Sequence, residues 1–135
     1  MAKTYLTIIT VDNILFKDDV DAVQLRTKAG GEIVFLPNHT PFCSNIDVCK
    51  MTVFVNDKNK QVYSVGSGLV YADAKDVYII SDDVIAQTDI DIERARSDRD
   101  LFTKMVSDAK TEKDRKLSEF KLRKALSRID IYNQK

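Results

Sequence analysis

The alternation of apolar and polar positions along this chain changes period once, near residue 88. Before that point the pattern is one of short strands. Tyr5, Thr7, Ile9 and Val11 alternate with Leu6, Ile8 and Thr10, which predicts a first strand with apolar members on both faces. Val23, Leu25 and Thr27 alternate with Gln24, Arg26 and Lys28, the period of two expected of a half-buried strand. Further strands are predicted over residues 32–36, 49–55, 61–65, 69–72 and 77–81. Between them lie Ala29-Gly30-Gly31, a loop bounded by Pro37 and Pro41, a polar run over 56–60, Gly66-Ser67-Gly68 and an Asp-rich turn over 73–76. Strands this short and this closely spaced predict a β-sandwich or flattened barrel.

From residue 88 the spacing becomes helical. Thr88-Asp89-Ile90-Asp91 fits a capping box with Thr88 as N-cap, and Asp89, Asp91 and Glu93 suit the positive end of a helix dipole. Ile92, Ala95, Phe102, Met105, Val106 and Ala109 form one stripe on the helical wheel. The all-polar run 110–114 interrupts that stripe and predicts a tight turn. A second helix then carries Leu122, Ala125, Leu126 and Ile129. Leu117 and Phe120 fall on nearly the opposite side of it. Either this helix bends or touches the first one there, or it has one apolar face for its own domain and another for a partner. The expected architecture is an N-terminal antiparallel β-sandwich over residues 1–87 followed by a C-terminal antiparallel two-helix hairpin over 88–135.

Charge sharpens this division. The 135 residues hold 21 Lys+Arg and 21 Asp+Glu, so there is no overall cationic excess to neutralise a phosphate backbone. Residues 1–88 hold 8 basic and 11 acidic side chains, whereas 89–135 hold 13 and 10. Within 110–128 there are 8 basic and 3 acidic side chains, either a solvated helix face or the footprint of an acidic partner. That run contains Phe120 as its one aromatic and the chain has no Trp, so a base-stacking surface is not expected. Cys43 and Cys49 are expected to be free thiols, buried or half-buried. With a single histidine, His39, neither a metal site nor a catalytic residue is expected. Residues 6–11, broken by Thr and closed by Asp12, read as a strand and not as the apolar region of a signal peptide. No stretch approaches the ~18 apolar residues of a membrane span.

Three motifs in a fixed order now carry a resemblance. Gly31-Glu32-Ile33-Val34-Phe35-Leu36-Pro37-Asn38-His39-Thr40-Pro41 is similar to a G-E-x-G-x-x-P-x-H-x-P loop and keeps five of its six fixed positions, with Val34 standing at a glycine. Gly66-Ser67-Gly68-Leu69 is close to an S-G-G-hydrophobic turn with one glycine displaced. Asp89-Ile90-Asp91-Ile92-Glu93-Arg94-Ala95 is similar to a D-I-D-x-x-R-A helix entry. Over essentially its whole length the chain resembles the epsilon subunit of bacterial and chloroplast F-type ATP synthases.

The resemblance implies a non-catalytic central-stalk subunit. Such a subunit couples the ion-driven c-ring to the catalytic head through the gamma subunit and inhibits ATP hydrolysis through its C-terminal helices. The alternative is a purely structural stalk subunit without an inhibitory hairpin. The sandwich would bind gamma and the c-ring, with Glu32, Pro37, His39 and Pro41 on the ring-facing loop. His39 would either touch the ring or hold the loop through an internal hydrogen bond. The hairpin would meet an acidic segment of the catalytic beta subunits through Lys116, Arg123, Lys124 and Arg128. Some members bind regulatory ATP, and the matching residues here are Ile90, Asp91, Arg94, Lys124 and Arg128; alternatively Asp91 and Arg94 make only local ion pairs. No cofactor is required, no nucleic acid is a partner, and membrane association runs only through the complex. The expected location is the cytoplasmic face of the inner or plasma membrane, and no transit peptide is expected.

Overall fold

The computed structural model describes residues 2–134, so Met1 and Lys135, the outermost residues of the two expected domains, lie outside the described residues. It divides into two compact units that meet between Ala86 and Gln87.

The first unit has ten strands: β1 (Thr4–Ile9), β2 (Ile14–Val20), β3 (Ala22–Thr27), β4 (Gly31–Phe35), β5 (Phe42–Ile46), β6 (Cys49–Phe54), β7 (Lys60–Val65), β8 (Gly68–Ala72), β9 (Asp76–Ile80) and β10 (Val84–Ala86). Strand β3 makes the sheet turn back on itself. It pairs along its length with β4, on its other side with β6 through Ala22–Gln24, and with β5 only at Thr27↔Ile46. The result is two layers, β10-β7-β6-β3-β4 and β5-β8-β9-β1-β2, joined through that one residue pair. Both layers turn one face inward. Leu6, Ile8, Val23, Leu25, Phe35, Ile46, Met51, Val53, Val65, Val70 and Ile79 are fully buried in a single core. At about 1.5–3 kcal/mol for each large side chain removed from water, this core is the main source of stability.

The sandwich differs from the expectation in three ways. The sheet is antiparallel except where β1 and β9 run parallel, from Tyr5↔Asp76 to Ile9↔Ile80. Those strands come from opposite ends of the unit, so no hairpin imposes the antiparallel direction. The first strand stops at Ile9, short of Val11, because the Thr10 N–H and hydroxyl both turn onto the Asn13 carbonyl, at 2.8 and 3.1 Å. Strands β2, β5 and β10 were not expected. In β2 only Val20 is fully buried, so an edge strand written Ile-Leu-Phe-Lys-Asp-Asp-Val shows no clean alternation.

Of the two thiols, Cys49 is buried near the Arg26 carbonyl and burial pushes its pKa up. Cys43 is exposed, against the expectation that both would be at least half-buried. It sits on the outward face of β5, where a small side chain next to Tyr71 of β8 faces solvent.

In the second unit a single 3-10 turn (Gln87–Asp89) precedes helix α1 (Ile92–Asp108) and helix α2 (Glu112–Asn133). The cap of α1 is Asp91, not Thr88: its carboxylate accepts the Arg94 N–H at 3.1 Å, and Thr88 lies in the 3-10 turn. An ionised oxygen at the N-cap satisfies an orphan donor at the positive end of the dipole. The link between helices is also shorter than expected. Thr111 caps α2 by accepting the Asp114 N–H at 3.1 Å, so residues 112–114 are already helical. The buried positions of the two helices are mostly small, Ala95 of α1 with Ser118 and Ala125 of α2, joined by Ile131 near the end of α2. Met105 and Leu126, expected on the apolar stripes, are exposed, because the seam runs through these smaller residues and leaves both to its side.

Gly68 explains why the displaced-glycine turn keeps its second glycine. A Cβ there would lie 2.6 Å from the Ile80 carbonyl oxygen and 2.8 Å from the Ser81 Cβ, both on the adjoining strand end. Gly68→Ala is therefore expected to destabilise the unit by about 1–3 kcal/mol, read as a lower urea midpoint at unchanged slope. A midpoint equal to that of the wild type would show that this close approach relaxes freely.

Candidate functional site

The loop between the prolines is built as a rigid knuckle. Pro37 fixes its entry, and Asn38 takes a left-handed backbone with φ of 64°, which its short amide side chain tolerates. The Asn38 N–H donates to the Ala74 carbonyl at 2.9 Å. His39 lies edge-on to Phe35, with ring centroids 5.0 Å apart, and to Phe42 at 6.3 Å. Its Nδ1 contacts the Thr40 carbonyl, so Nδ1–H is the donor and Nε2 of the neutral ring is the acceptor. This contact is internal to the loop and joins neighbouring residues.

The turn over 73–76 anchors this knuckle and the start of β1 together. The Asp73 carboxylate accepts the backbone N–H groups of Lys75 and Asp76, each at 2.9 Å, and those two bonds hold its pKa below the usual 3.8. Within the same turn the Lys75 carbonyl accepts the Tyr5 N–H at 2.8 Å and the Thr4 hydroxyl at 3.1 Å. Sequence reasoning identified a turn here; its clamping role depends on backbone partners that no residue pattern shows.

Glu32, expected on the ring-facing loop, stands on β4 and is engaged across the sheet. One carboxylate oxygen accepts a Gln24 amide N–H at 3.1 Å and the other lies 4.0 Å from the Arg26 guanidinium. Pro41 is exposed, whereas Pro37 is half-buried.

A second surface escaped the sequence reading. Register places Leu69 opposite Ile80, Ile80 opposite Ile9, and Ile9 opposite Ile14, across β8, β9, β1 and β2. Leu69, Ile80 and Ile14 are each about half exposed, as is Tyr71, whose ring lies 6.2 Å from that of Tyr78. Apolar side chains thus form a row over the outer face of one layer. The signal was present in the first strand, whose two faces both have apolar members.

On the hairpin, Lys116 and Arg123 are exposed and seven positions apart, hence on one face of α2, whereas Lys124 and Arg128 are half-buried. Lys124 Nζ lies 5.4 Å from the Phe120 ring centroid, and Lys121 Nζ of α2 lies 5.7 Å from the ring of Phe102 on α1. The Phe120 ring is therefore faced by a lysine ammonium, while Leu117, one turn earlier on the same side, stands half exposed. Among the residues matched to regulatory ATP, Ile90 is buried and Asp91 serves as a helix cap through the Arg94 backbone, not its guanidinium. Gln87 Nε2 donates to the Ile131 carbonyl at 2.8 Å, so the head of α1 lies beside the last turns of α2, where Arg128 stands.

A sandwich with a rigid knuckle and an apolar outer row, joined to a basic helical hairpin, defines a protein built to dock into an assembly. The comparisons agree. The family model described as "ATP synthase, Delta/Epsilon chain, beta-sandwich domain" matches residues 3–87. The chain is 35% identical to the ATP synthase epsilon chain of Mycoplasmopsis synoviae, over 99% of this chain and 98% of that one. It is 30% identical to the epsilon chain of Halalkalibacterium halodurans, over 97% and 98%. In fold it is similar to a chain of the Euglena gracilis mitochondrial ATP synthase OSCP/F1/c-ring structure, with a TM-score of 0.82, 19% identity, and 94% of this chain and 79% of that chain covered. A chain of the Tetrahymena thermophila mitochondrial central stalk and c-ring structure is similar with a TM-score of 0.61, 11% identity and coverage of 98% and 95%. The chain belongs to the epsilon-chain family of F-type ATP synthases.

The Asp73 clamp gives a pH dependence with a definite sign. Its carboxylate pKa is lowered in the folded state, so its contribution is complete above 3.8 and is lost as pH falls through the folded value. Asp73→Ala should be less stable than the wild type near neutrality, and the gap should narrow below pH 3.8 in denaturant titrations. A gap that is constant with pH would show that the carboxylate's charge plays no part in the clamp.

Proposed function

We propose that the chain is a non-catalytic coupling and regulatory subunit. Its sandwich docks on the gamma subunit and the c-ring, and its hairpin suppresses ATP hydrolysis by contacting the catalytic beta subunits. In this reading the apolar outer row is the gamma-facing surface. An exposed apolar patch spanning several strands is what a protein interface buries, and the polar knuckle at its side remains for the ring. The complex holds the chain at the cytoplasmic face of the energised membrane. No described helix is long and apolar enough to cross it.

One observation carries the regulatory half. The hairpin leaves Leu101, Met105, Leu117 and Leu126 substantially exposed, with Lys116 and Arg123 on the exposed side of α2. Apolar contact with neighbouring cations fits a partner helix that is amphipathic and acidic. A purely structural stalk element would have no use for this combination.

Reversing the exposed charges tests the reading. In the assembled head with gamma, Lys116→Glu combined with Arg123→Glu should relieve suppression of ATP hydrolysis several-fold while leaving gamma binding intact. Suppression by the wild type should also weaken with added salt, because the contact is partly electrostatic. Undiminished suppression by the charge-reversed chain would remove these two residues from the contact.

A further inference from the structure

Gln87 opens the second unit, as the first residue of the 3-10 turn that leads into α1. Its side chain is half-buried, and Nε2 donates to the Ile131 carbonyl, 44 positions along the chain, at 2.8 Å. Ile131 lies among the last four residues of α2, where helix carbonyls have no intrahelical amide to accept from. The Gln134 N–H reaches the same oxygen at 3.1 Å, across a tightened final turn. Among the described residues the last turn of α2 has no basic side chain, so the Gln87 amide brings a donor to the negative end of that helix dipole. Ile131 itself is buried, and so is Ile90, which follows the turn.

We propose that Gln87 is the latch of the hairpin: its side chain caps the C-terminal end of α2 from the segment that enters α1, and α2 must give up this bond before it can leave α1 for another partner. Its role as a release point rests on the regulatory reading above and names the residue that sets when α2 is freed. Bonds inside a helix travel with it when it moves as a body. The Gln87 bond does not, because it joins the first residue of the unit to a residue near its end. A shift of α2 by an ångström or two carries the Ile131 carbonyl beyond the reach of Nε2. The net worth of one hydrogen bond is small enough for a competing contact to match, which is what a releasable fastening requires.

Hydrogen exchange of the full chain, followed by mass spectrometry, tests the latch. Gln87→Leu keeps the bulk of the side chain and removes the donor. It should speed exchange over residues 126–134 about three- to tenfold and leave residues 2–86 within about twofold of the wild type. Gln87→Lys restores a donor and adds positive charge at the negative end of the dipole, so its exchange should match the wild type. Exchange in Gln87→Leu equal to that of the wild type overturns the proposal. So does a Gln87→Lys chain as loose as Gln87→Leu, because the contact would then be packing. In the assembled head with gamma, Gln87→Leu should suppress ATP hydrolysis about twofold or more beyond the wild type, since α2 is released more readily, and Gln87→Lys should not. Faster exchange with unaltered suppression would overturn the release role. If the wild-type chain suppresses nothing, the regulatory reading fails and takes the release role with it, whereas the exchange arm reads the fastening of α2 on its own.

Discussion

The corner at Thr27 is the constraint on which the other features of the sandwich depend. This residue is nearly fully buried, and its hydroxyl donates to the Gly31 carbonyl at 3.1 Å while accepting the Gly30 N–H at 3.0 Å. One short side chain thus closes the β3–β4 turn and satisfies polar groups that burial would otherwise leave costly. At the same residue the strand pairing passes from one layer to the other, supported by the Lys28 N–H to the Asn45 carbonyl and the Asp47 N–H to the Arg26 carbonyl, both at 3.0 Å. Valine would match the shape of threonine but leave the Gly30 N–H and the Gly31 carbonyl without this partner.

With the layers closed, the period of two fixes what each face displays. The inward positions are committed to one apolar core, so recognition falls to the outward positions and the turns. The apolar row of Leu69, Ile80, Ile9 and Ile14 is built by register across two pairs of strands, β8–β9 and β1–β2, from distant parts of the unit. The hairpin follows different rules. The buried positions of its two helices are Ala95, Ser118, Ala125 and Ile131, three of them small. Large apolar side chains stay at its margins. In the regulatory role proposed above these margins are what a second packing partner would cover, and a two-state element works only when its states differ by a few kcal/mol.

Much of this was legible in the residues. Alternation located β3, β6, β7, β8 and β9, and the change to a helical period located α1 and α2, because both signals come from local geometry. The strands that escaped are those where tertiary context overrides pattern: β2 lies at an edge and is mostly exposed, β5 is polar along its outward face, and β10 has three residues. Helix starts moved because Thr88 and Asp91 are both good caps, and the choice fell to the residue whose carboxylate reaches the Arg94 N–H. At the site, the motif spanning Gly31 to Pro41 located the knuckle. It gave no sign that Glu32 would be engaged by Gln24 and Arg26, since that requires the β3–β4 register. The outer apolar row was hinted at only by the two apolar faces of the first strand, because its members lie up to 71 positions apart in the sequence and meet only in the sheet.

The central claim is that docking belongs to the sandwich and regulation to the hairpin. It is tested most directly by adding the full chain, or the chain ended after Ala86, to the catalytic head with gamma and measuring both gamma binding and ATP hydrolysis. The account predicts that both chains bind gamma and that only the full chain suppresses hydrolysis. Equal suppression by the shortened chain would contradict the regulatory role of the helices, and loss of gamma binding on shortening would contradict the docking role of the sandwich.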